Sequence, residues 1–337
     1  MPRLPNRLTY RWILLFLLTY GGSASPGEKA GRIDAPDDRS QVNAFAQLET
    51  NRWKQPWLWS GRGGLIYTAE GKILATGHTE KGIGLWDVPT GKRIRAWEAP
   101  QSSFCWQIRL SADGRVMAAA GGKDQRVIQV CDVQTGKIRN AWTVPEYLLA
   151  IALSADGKLV ASISNQGNIQ VWDADDGKER GQFQGWAASF AMDGKTLLVA
   201  SDKNVGIWDL ATRKEKKRLE GTANSLALSS DGKVLAGSGD KGIHLWNVTT
   251  GERTRTITAN MGGFHMSTVC ISADGRTVAL TNDKMIAAWD TETGRIRLQI
   301  PGNWWFMASA LSADGGTLIF SDGSEVIRRQ LAATPRP

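Results

Sequence analysis

Three histidines, three cysteines and one tight group of carboxylates are the side chains of this 337-residue chain whose types could do chemistry. Ser-His-Asp catalysis needs a histidine fixed between a hydroxyl and a carboxylate, but His78, His244 and His265 fall in unrelated turns or strands. Zinc needs His or Cys clustered at defined spacing, and no such cluster occurs. Asp173, Asp175 and Asp176 are dense enough to suggest calcium. The further ligands and closing glutamate of an EF-hand loop are missing, so they read as a polar turn. Cys105 begins one strand and Cys131 lies two strands on, which puts them about 9–10 Å apart, beyond disulfide reach. With Cys270 they read as small buried hydrophobes. The expectation is no catalytic residue, no metal and no cofactor.

The elements that would position any site repeat along the chain. An acidic residue followed by Gly occurs at Glu70-Gly71, Asp113-Gly114, Asp156-Gly157, Asp193-Gly194, Asp231-Gly232, Asp274-Gly275 and Asp314-Gly315. Fifteen to eighteen residues later stand Trp86, Cys131, Trp172, Trp208, Trp246, Trp289 and Arg329. Successive turns lie 43, 43, 37, 38, 43 and 40 residues apart. A period near 40 marks a repeat architecture. Asp-Gly between β-rich runs signals a hairpin, because both residues tolerate positive φ. A second turn recurs at Thr90-Gly91, Thr135-Gly136, Thr250-Gly251 and Thr293-Gly294, with Arg213 in the Gly place of the fourth repeat. Each unit therefore reads as a four-stranded antiparallel meander. Its third strand is bulky on both faces, as in Ile169-Gln170-Val171-Trp172. One sheet cannot bury both faces alone, whereas radial stacking into a β-propeller can.

Trp86-Asp87, Trp172-Asp173, Trp208-Asp209 and Trp289-Asp290 resemble the Trp-Asp endings of WD40 repeats, with Trp246-Asn247 and Cys131-Asp132 as variants. The Ser-Ala-Asp-Gly turns at 111–114, 154–157, 272–275 and 311–314 resemble the bacterial style of that family. The resemblance spans roughly residues 45 to 331 and implies an all-β, seven-bladed β-propeller that binds proteins or peptides. Family members often place a Gly-His pair before the first strand, whose His joins a buried tetrad with Asp, Ser or Thr and the Trp. Only Gly263-Phe264-His265 approaches that pattern, so the tetrad is expected to be absent or rebuilt. Quinoprotein dehydrogenases also resemble this chain at Asp87-Val88-Pro89-Thr90-Gly91. Their docking Trp follows the Gly by four residues, whereas Trp97 and Trp142 follow by six. That reading is set aside.

The seventh repeat runs out of chain after Glu325 to Leu331. Trp53-Lys54-Gln55-Pro56 matches Trp97-Glu98-Ala99-Pro100 and Trp142-Thr143-Val144-Pro145, which end the outer strands of the first two blades. Residues 46 to 54, marked by Trp53 and Pro56, are therefore expected to supply the outer strand of blade seven and close the ring. Closure also removes a hazardous open edge.

Upstream, Arg3, Arg7 and Arg11 precede an apolar run from Trp12 to Tyr20 and a small-residue Gly22-Ser23-Ala24. That is the pattern of a signal peptide over 1–24, with an apolar run too short to span a bilayer comfortably. It predicts export to the periplasm or beyond, an uncleaved membrane anchor being the alternative. Residues 25–44, rich in Pro, Gly, Ser and charge, read as a flexible linker, and 332–337 as a disordered tail. Formal charge is +8, and losing the three leader arginines leaves +5. Nucleic-acid binding needs basic residues gathered on one face with interleaved aromatics. Lys214, Lys216, Lys217 and Arg218 instead fall on the outer strand of blade four, where they read as a solvated edge that discourages strand pairing.

The Asp-Gly and Thr-Gly turns share one rim of such a ring. The opposite rim is rich in aromatics: Phe104 and Trp106, Tyr147, Trp186, Phe264 and His265, then Trp304, Trp305 and Phe306. Aromatics at a polar surface are enriched in binding hot spots, and two adjacent indoles cannot easily both point inward. Trp106 and Trp186 could equally be plugs between blades. The reading is a monomeric, exported, non-enzymatic scaffold that docks a protein or peptide and no nucleic acid. The alternative is an exported carbohydrate-binding or enzymatic propeller using the aromatic rim around its channel.

Overall fold

Each repeat becomes a sheet because four short runs, rich in β-branched and apolar residues, are punctuated by turns that few residue types can make. The computed structural model describes residues 50–54, 65–67, 73–77, 83–88, 90, 92–97, 105–122, 124–239, 241–259, 267–301, 309–321 and 325–333. All lie within the unit Ser40–Pro337. They form seven four-stranded antiparallel sheets, the blades of a propeller. From the inner strand outward, blade one is Leu65–Tyr67, Ile73–Gly77, Ile83–Asp87 and Arg93–Trp97. Blade two is Cys105–Leu110, Val116–Gly121, Val127–Asp132 and Ile138–Thr143. Blade three is Leu148–Leu153, Leu159–Ser164, Asn168–Asp173 and Glu179–Gln184. Blade four is Ala187–Phe190, Thr196–Ala200, Asn204–Asp209 and Glu215–Glu220. Blade five is Ser225–Leu228, Val234–Gly239, Gly242–Asn247 and Arg253–Thr258. Blade six is Thr268–Ile271, Thr277–Thr281, Met285–Asp290 and Ile296–Pro301. Blade seven is Ser309–Leu311, Thr317–Ser321, Glu325–Gln330 and, outermost, Thr50–Lys54.

The cores lie between blades. In the second strand of blade two, Met117 and Ala119 pack with Ala75, Ile83 and Leu85 of blade one. The intervening Val116, Ala118 and Ala120 pack with Leu148, Ile151 and Val160 of blade three. This is period-two alternation with both faces apolar. Cys105 and Cys131 sit in the first of these cores, and all three cysteines are free thiols. Burial pushes their pKa values upward, to about 12 for Cys270. None is poised as a thiolate nucleophile or ligand.

The tetrad is expected to be absent or rebuilt, and the Trp indoles of blades one, three and five find different partners. Trp172 Nε1 donates to Ser162 Oγ at 2.8 Å and Trp86 Nε1 to Thr76 Oγ1 at 2.9 Å. In blade five the matching second-strand position is Gly237, where a Cβ would stand 2.9 Å from the Trp246 ring. Trp246 instead donates to the Glu220 carbonyl of blade four at 2.9 Å. His244 is a core residue, edge-on to Trp246 with ring centroids 5.7 Å apart and with Nδ1 3.1 Å from Thr256 Oγ1.

The turns differ from expectation in one respect. Among the six described Asp-Gly turns only the glycine takes positive φ, 69° at Gly114, and no aspartate does. The aspartate acts through its side chain. Ser111 Oγ donates to Asp113 Oδ1 at 2.6 Å and accepts the Val116 N–H at 2.9 Å, while Asp113 Oδ1 also takes the Arg115 N–H at 3.0 Å. The same serine-to-aspartate bond recurs at Ser154, Ser229, Ser272 and Ser312. In the second turn the aspartate of the Trp-Asp pair takes over. Asp132 Oδ1 accepts Thr135 N–H and Oγ1–H at 2.7 and 2.8 Å. Asp173, read as a polar turn, accepts the Asp175 and Asp176 amides at 3.0 and 3.3 Å and the Arg180 guanidinium at 2.7 Å.

The ring closes as expected. Thr50–Lys54 pairs antiparallel with the third strand of blade seven, Trp53 opposite Val326. Residues 46–49 and Pro56 lie outside the described residues. Arg297, only 8% exposed, ties blade six to the segment that follows blade seven. It donates from Nε to the Ala332 carbonyl and from Nη1 to the Gly315 carbonyl, both at 2.8 Å, and to Thr277 Oγ1.

Two outcomes are expected. Deleting residues up to 60 removes the closing strand, so thermal unfolding should broaden and its midpoint fall by about 5–10 °C; a truncated chain that melts like the full one contradicts the closure. Arg213 holds φ 57°, where the other second turns carry a positive-φ Gly such as Gly136 or Gly251. Arg213→Gly relieves that left-handed strain and should raise urea-denaturation stability by about 1 kcal/mol, despite losing its bond to the Arg180 carbonyl.

Candidate functional site

The Asp-Gly turns surround one mouth of the channel, and their main chains knit adjacent blades together. Ala112 N–H donates to the Ala155 carbonyl at 2.8 Å, and Ser230 to Ala273 and Ala273 to Ala313 at 2.9 Å. These ties join blades two and three, five and six, and six and seven at the same repeat position. The turn glycines close against the preceding blade. A Cβ on Gly157 would meet Val116 at 2.6 Å, and one on Gly315 would meet Thr277 at 2.4 Å.

Blade four breaks this pattern. Ala191 stands where other turns have the bonding serine, and Thr196 Oγ1 supplies the hydroxyl to Asp193 instead, at 2.8 Å. Met192, in the tie position, is 45% exposed. Among the described residues no main-chain bond joins the turns of blades four and five, and a Cβ on Gly232 would meet nothing within 4 Å. The seam opens as a groove of about 390 Å³ lined by Ala191, Met192, Ile207 and Val248, with Asp193, Asp231, Lys216 and Lys217 at its edges.

The charges at that edge are already engaged. Burial of Asp193 works against ionisation, but the Lys195 and Thr196 amides and the Thr196 hydroxyl prevail and hold its pKa below the usual carboxylate value. The Ser229 hydroxyl, then the Lys233 amide, do the same for Asp231. Lys216 Nζ pairs with Asp209 at 2.8 Å, and Lys217 Nζ donates to the Thr249 carbonyl. The groove therefore offers an apolar floor. The basic residues do lie on or beside the outer strand of blade four, Glu215–Glu220.

On the opposite rim, Phe104, Phe264, His265, Trp304, Trp305 and Phe306 lie outside the described residues, as does the Trp106 side chain. Tyr147 and Trp186 are half-buried. The Trp186 indole donates to Asp202 Oδ1 at 2.6 Å, and its ring lies about 3.2 Å from where a Cβ on Gly167 would stand. Trp186 thus braces a loop of blade four against a hairpin of blade three. Sequence reasoning missed Leu149, which is 40% exposed at a β-bulge between Leu148 and Ala150. The register of blade two shifts at the matching place, between Cys105 and Gln107, which puts Trp106 at that bulge. Bulges re-aim side chains next to sites, and the 43-residue offset of Trp106 and Leu149 is the signal that could have shown it.

Residues 213–247, from the outer strand of blade four through the third strand of blade five, match the family model described as WD domain, G-beta repeat. The described chain is a seven-bladed propeller that carries a segment similar to a WD40 repeat. The matched segment is offset from the blade by one strand, and likewise the first strand of the described chain completes the last blade. A chain in a crystal structure of a mitotic checkpoint complex shares the fold, with TM-score 0.68 and 18% identity over 93% of this chain and 100% of that one. No curated protein matches the chain.

The Asp-Gly turns carry a pH signature. Asp113, Asp231 and Asp314 are lowered, chiefly by the serine hydroxyl two residues before each. The folded chain thus releases these protons more readily than the unfolded one. The stability they add is fully present above the unfolded carboxylate value of about 3.9 and is lost as pH falls through the folded values. Urea midpoints should decline steeply below about pH 4, and Ser111→Ala should flatten that decline. A midpoint independent of pH between 5 and 3 contradicts the assignment.

Proposed function

We propose that this WD40 propeller is an exported, non-enzymatic platform that docks protein or peptide partners. The observation that carries the docking is the seam between blades four and five, where an apolar groove with an exposed methionine opens in a rim whose turns are tied by main-chain bonds at three other seams. Methionine suits such a surface because its side chain adapts to varied partners. The groove edges spend their charges internally, which favours an apolar anchor residue over a salt-bridged one. The checkpoint-complex chain contributes only that this fold can serve inside an assembly. Export rests on Arg3, Arg7 and Arg11, the Trp12 to Tyr20 run and Ala24. The aromatic rim, with Tyr147, Trp186, Trp304 and Trp305, is the second docking surface of the proposal.

Full-length protein expressed in its native envelope should be recovered with Ser25 as its first residue. Cross-linked capture should lose its specific partner at least fivefold with Met192→Glu or with Trp304→Ala/Trp305→Ala, while the melting temperature stays within about 2 °C of wild type. Unchanged capture by both variants refutes the docking surfaces, and a retained Met1 refutes cleavage.

A further inference from the structure

We infer that the central channel binds a carboxylate, held by Arg109 with help from Gln107. Aligning the inner strands on their Asp-Gly turns puts Arg109 at the position occupied by Ile66, Ala152, Ser189, Ala227, Cys270 and Ala310 in the other blades. Six repeats keep this place small or neutral, and the seven inner strands together contain no other Asp, Glu, Lys or Arg. The described inner strands thus carry one formal charge.

Hydrogen bonds locate that charge. The Ile151 N–H of blade three donates to Gln107 Oε1 at 2.8 Å, and the Val269 N–H of blade six donates to Ser225 Oγ at 3.3 Å. Ile151 and Val269 hold the repeat position of Ile108, so the main chain at this register faces the channel rather than the second strand. Arg109 Nη1 donates to the Ile108 carbonyl at 2.8 Å. The guanidinium is therefore folded along the free inner edge of blade two. Gln107, two residues earlier, lies on the same strand face, and its carbonyl oxygen is engaged with Ile151 while its NH₂ remains free to donate.

No counter-charge to this cation stands among the described residues, and burial lowers its pKa to about 10 with no opposing ion. Arg109 is half-buried, so its hydration is only partial and an unpaired cation there is disfavoured, and the single backbone bond uses one of its five N–H donors. A planar two-oxygen anion matches the guanidinium fork in a way that a point charge does not. A carboxylate completes the site, from either a free small acid or a peptide terminus.

The test uses the full chain and two variants, Arg109→Gln and Arg109→Lys, at constant ionic strength. Titration with sodium succinate against sodium chloride, and with tetra-alanine against its C-terminal amide, separates the two sources. Wild type should bind at least one free carboxylate. Arg109→Gln should weaken that binding at least tenfold, and Arg109→Lys should weaken it less. In chloride alone Arg109→Gln should melt no lower than wild type, because a neutral amide relieves the desolvation. Binding of succinate alone supports a small acid, and binding of tetra-alanine alone supports a chain terminus. Should Arg109→Gln fail to fold, the Arg109→Lys comparison decides the same question. No carboxylate-specific binding by wild type, or equal binding by the variants, overturns the assignment.

Discussion

Blades two to six of this propeller are apolar on both faces, and no other feature of the structure stands without that fact. A sheet like blade two, with Met117 and Ala119 toward one neighbour and Val116 and Ala118 toward the other, is stable only between two partners. Each interface therefore depends on the next, and an open array would leave two wet hydrophobic faces. Closure converts that liability into a ring. Thr50–Lys54 completes the last sheet, and Arg297 anchors Gly315 and Ala332 beside it. The first and last strands of the described chain are thereby held in the same blade.

A second constraint acts at the turns. The inner strands must approach the axis closely, so the Asp-Gly turns crowd together and their glycines accept neighbours that a Cβ would strike. Crowding allows the main-chain ties between turns, and the ties stiffen one mouth of the channel. The rim is consequently uniform wherever serine, a small second residue and Asp-Gly all occur. Blade four keeps the Asp-Gly but has Ala191 and Met192 in the two preceding places, and the seam after it opens. The groove is thus a local failure of repetition, with the core beneath it intact: Ile207, Leu219, Leu235 and Trp246 remain buried there.

Repetition also decides what could be read from the chain beforehand. Blade number, strand order and the closing strand were legible because Asp-Gly, Thr-Gly and Trp-x-x-Pro recur at fixed offsets. The role of the turn aspartates was not, since a positive-φ residue and a side-chain acceptor leave the same Asp-Gly signature. The rebuilt tryptophan contacts depended on single residues such as Gly237, whose effect appears only against the Trp246 ring. Trp186 could be read as aromatic and rim-placed, but its partner Asp202 lies in a loop that no spacing rule links to it. Leu149 and Arg109 are different. Both were visible as outliers at fixed repeat positions, and what they do emerged only when the strand edges and bulges gave those positions a direction.

Arg297 and Arg109 show why direction matters. Both are arginines drawn out of water, and in both burial is the main force lowering the pKa. Arg297 is surrounded by the carboxylates of Asp290, Asp274 and Asp314, which oppose that lowering, and its donors end on Ala332, Gly315 and Thr277. Its charge is compensated within the fold, and its work is complete when the ring closes. Arg109 has one backbone acceptor and no carboxylate among the described residues. Even a half-buried charge without an internal partner is a standing cost to the folded state. The two residues therefore divide by the same physical criterion: the one whose field is neutralised by the chain holds the ring, and the one whose field is left open faces the channel, where only something from outside can answer it.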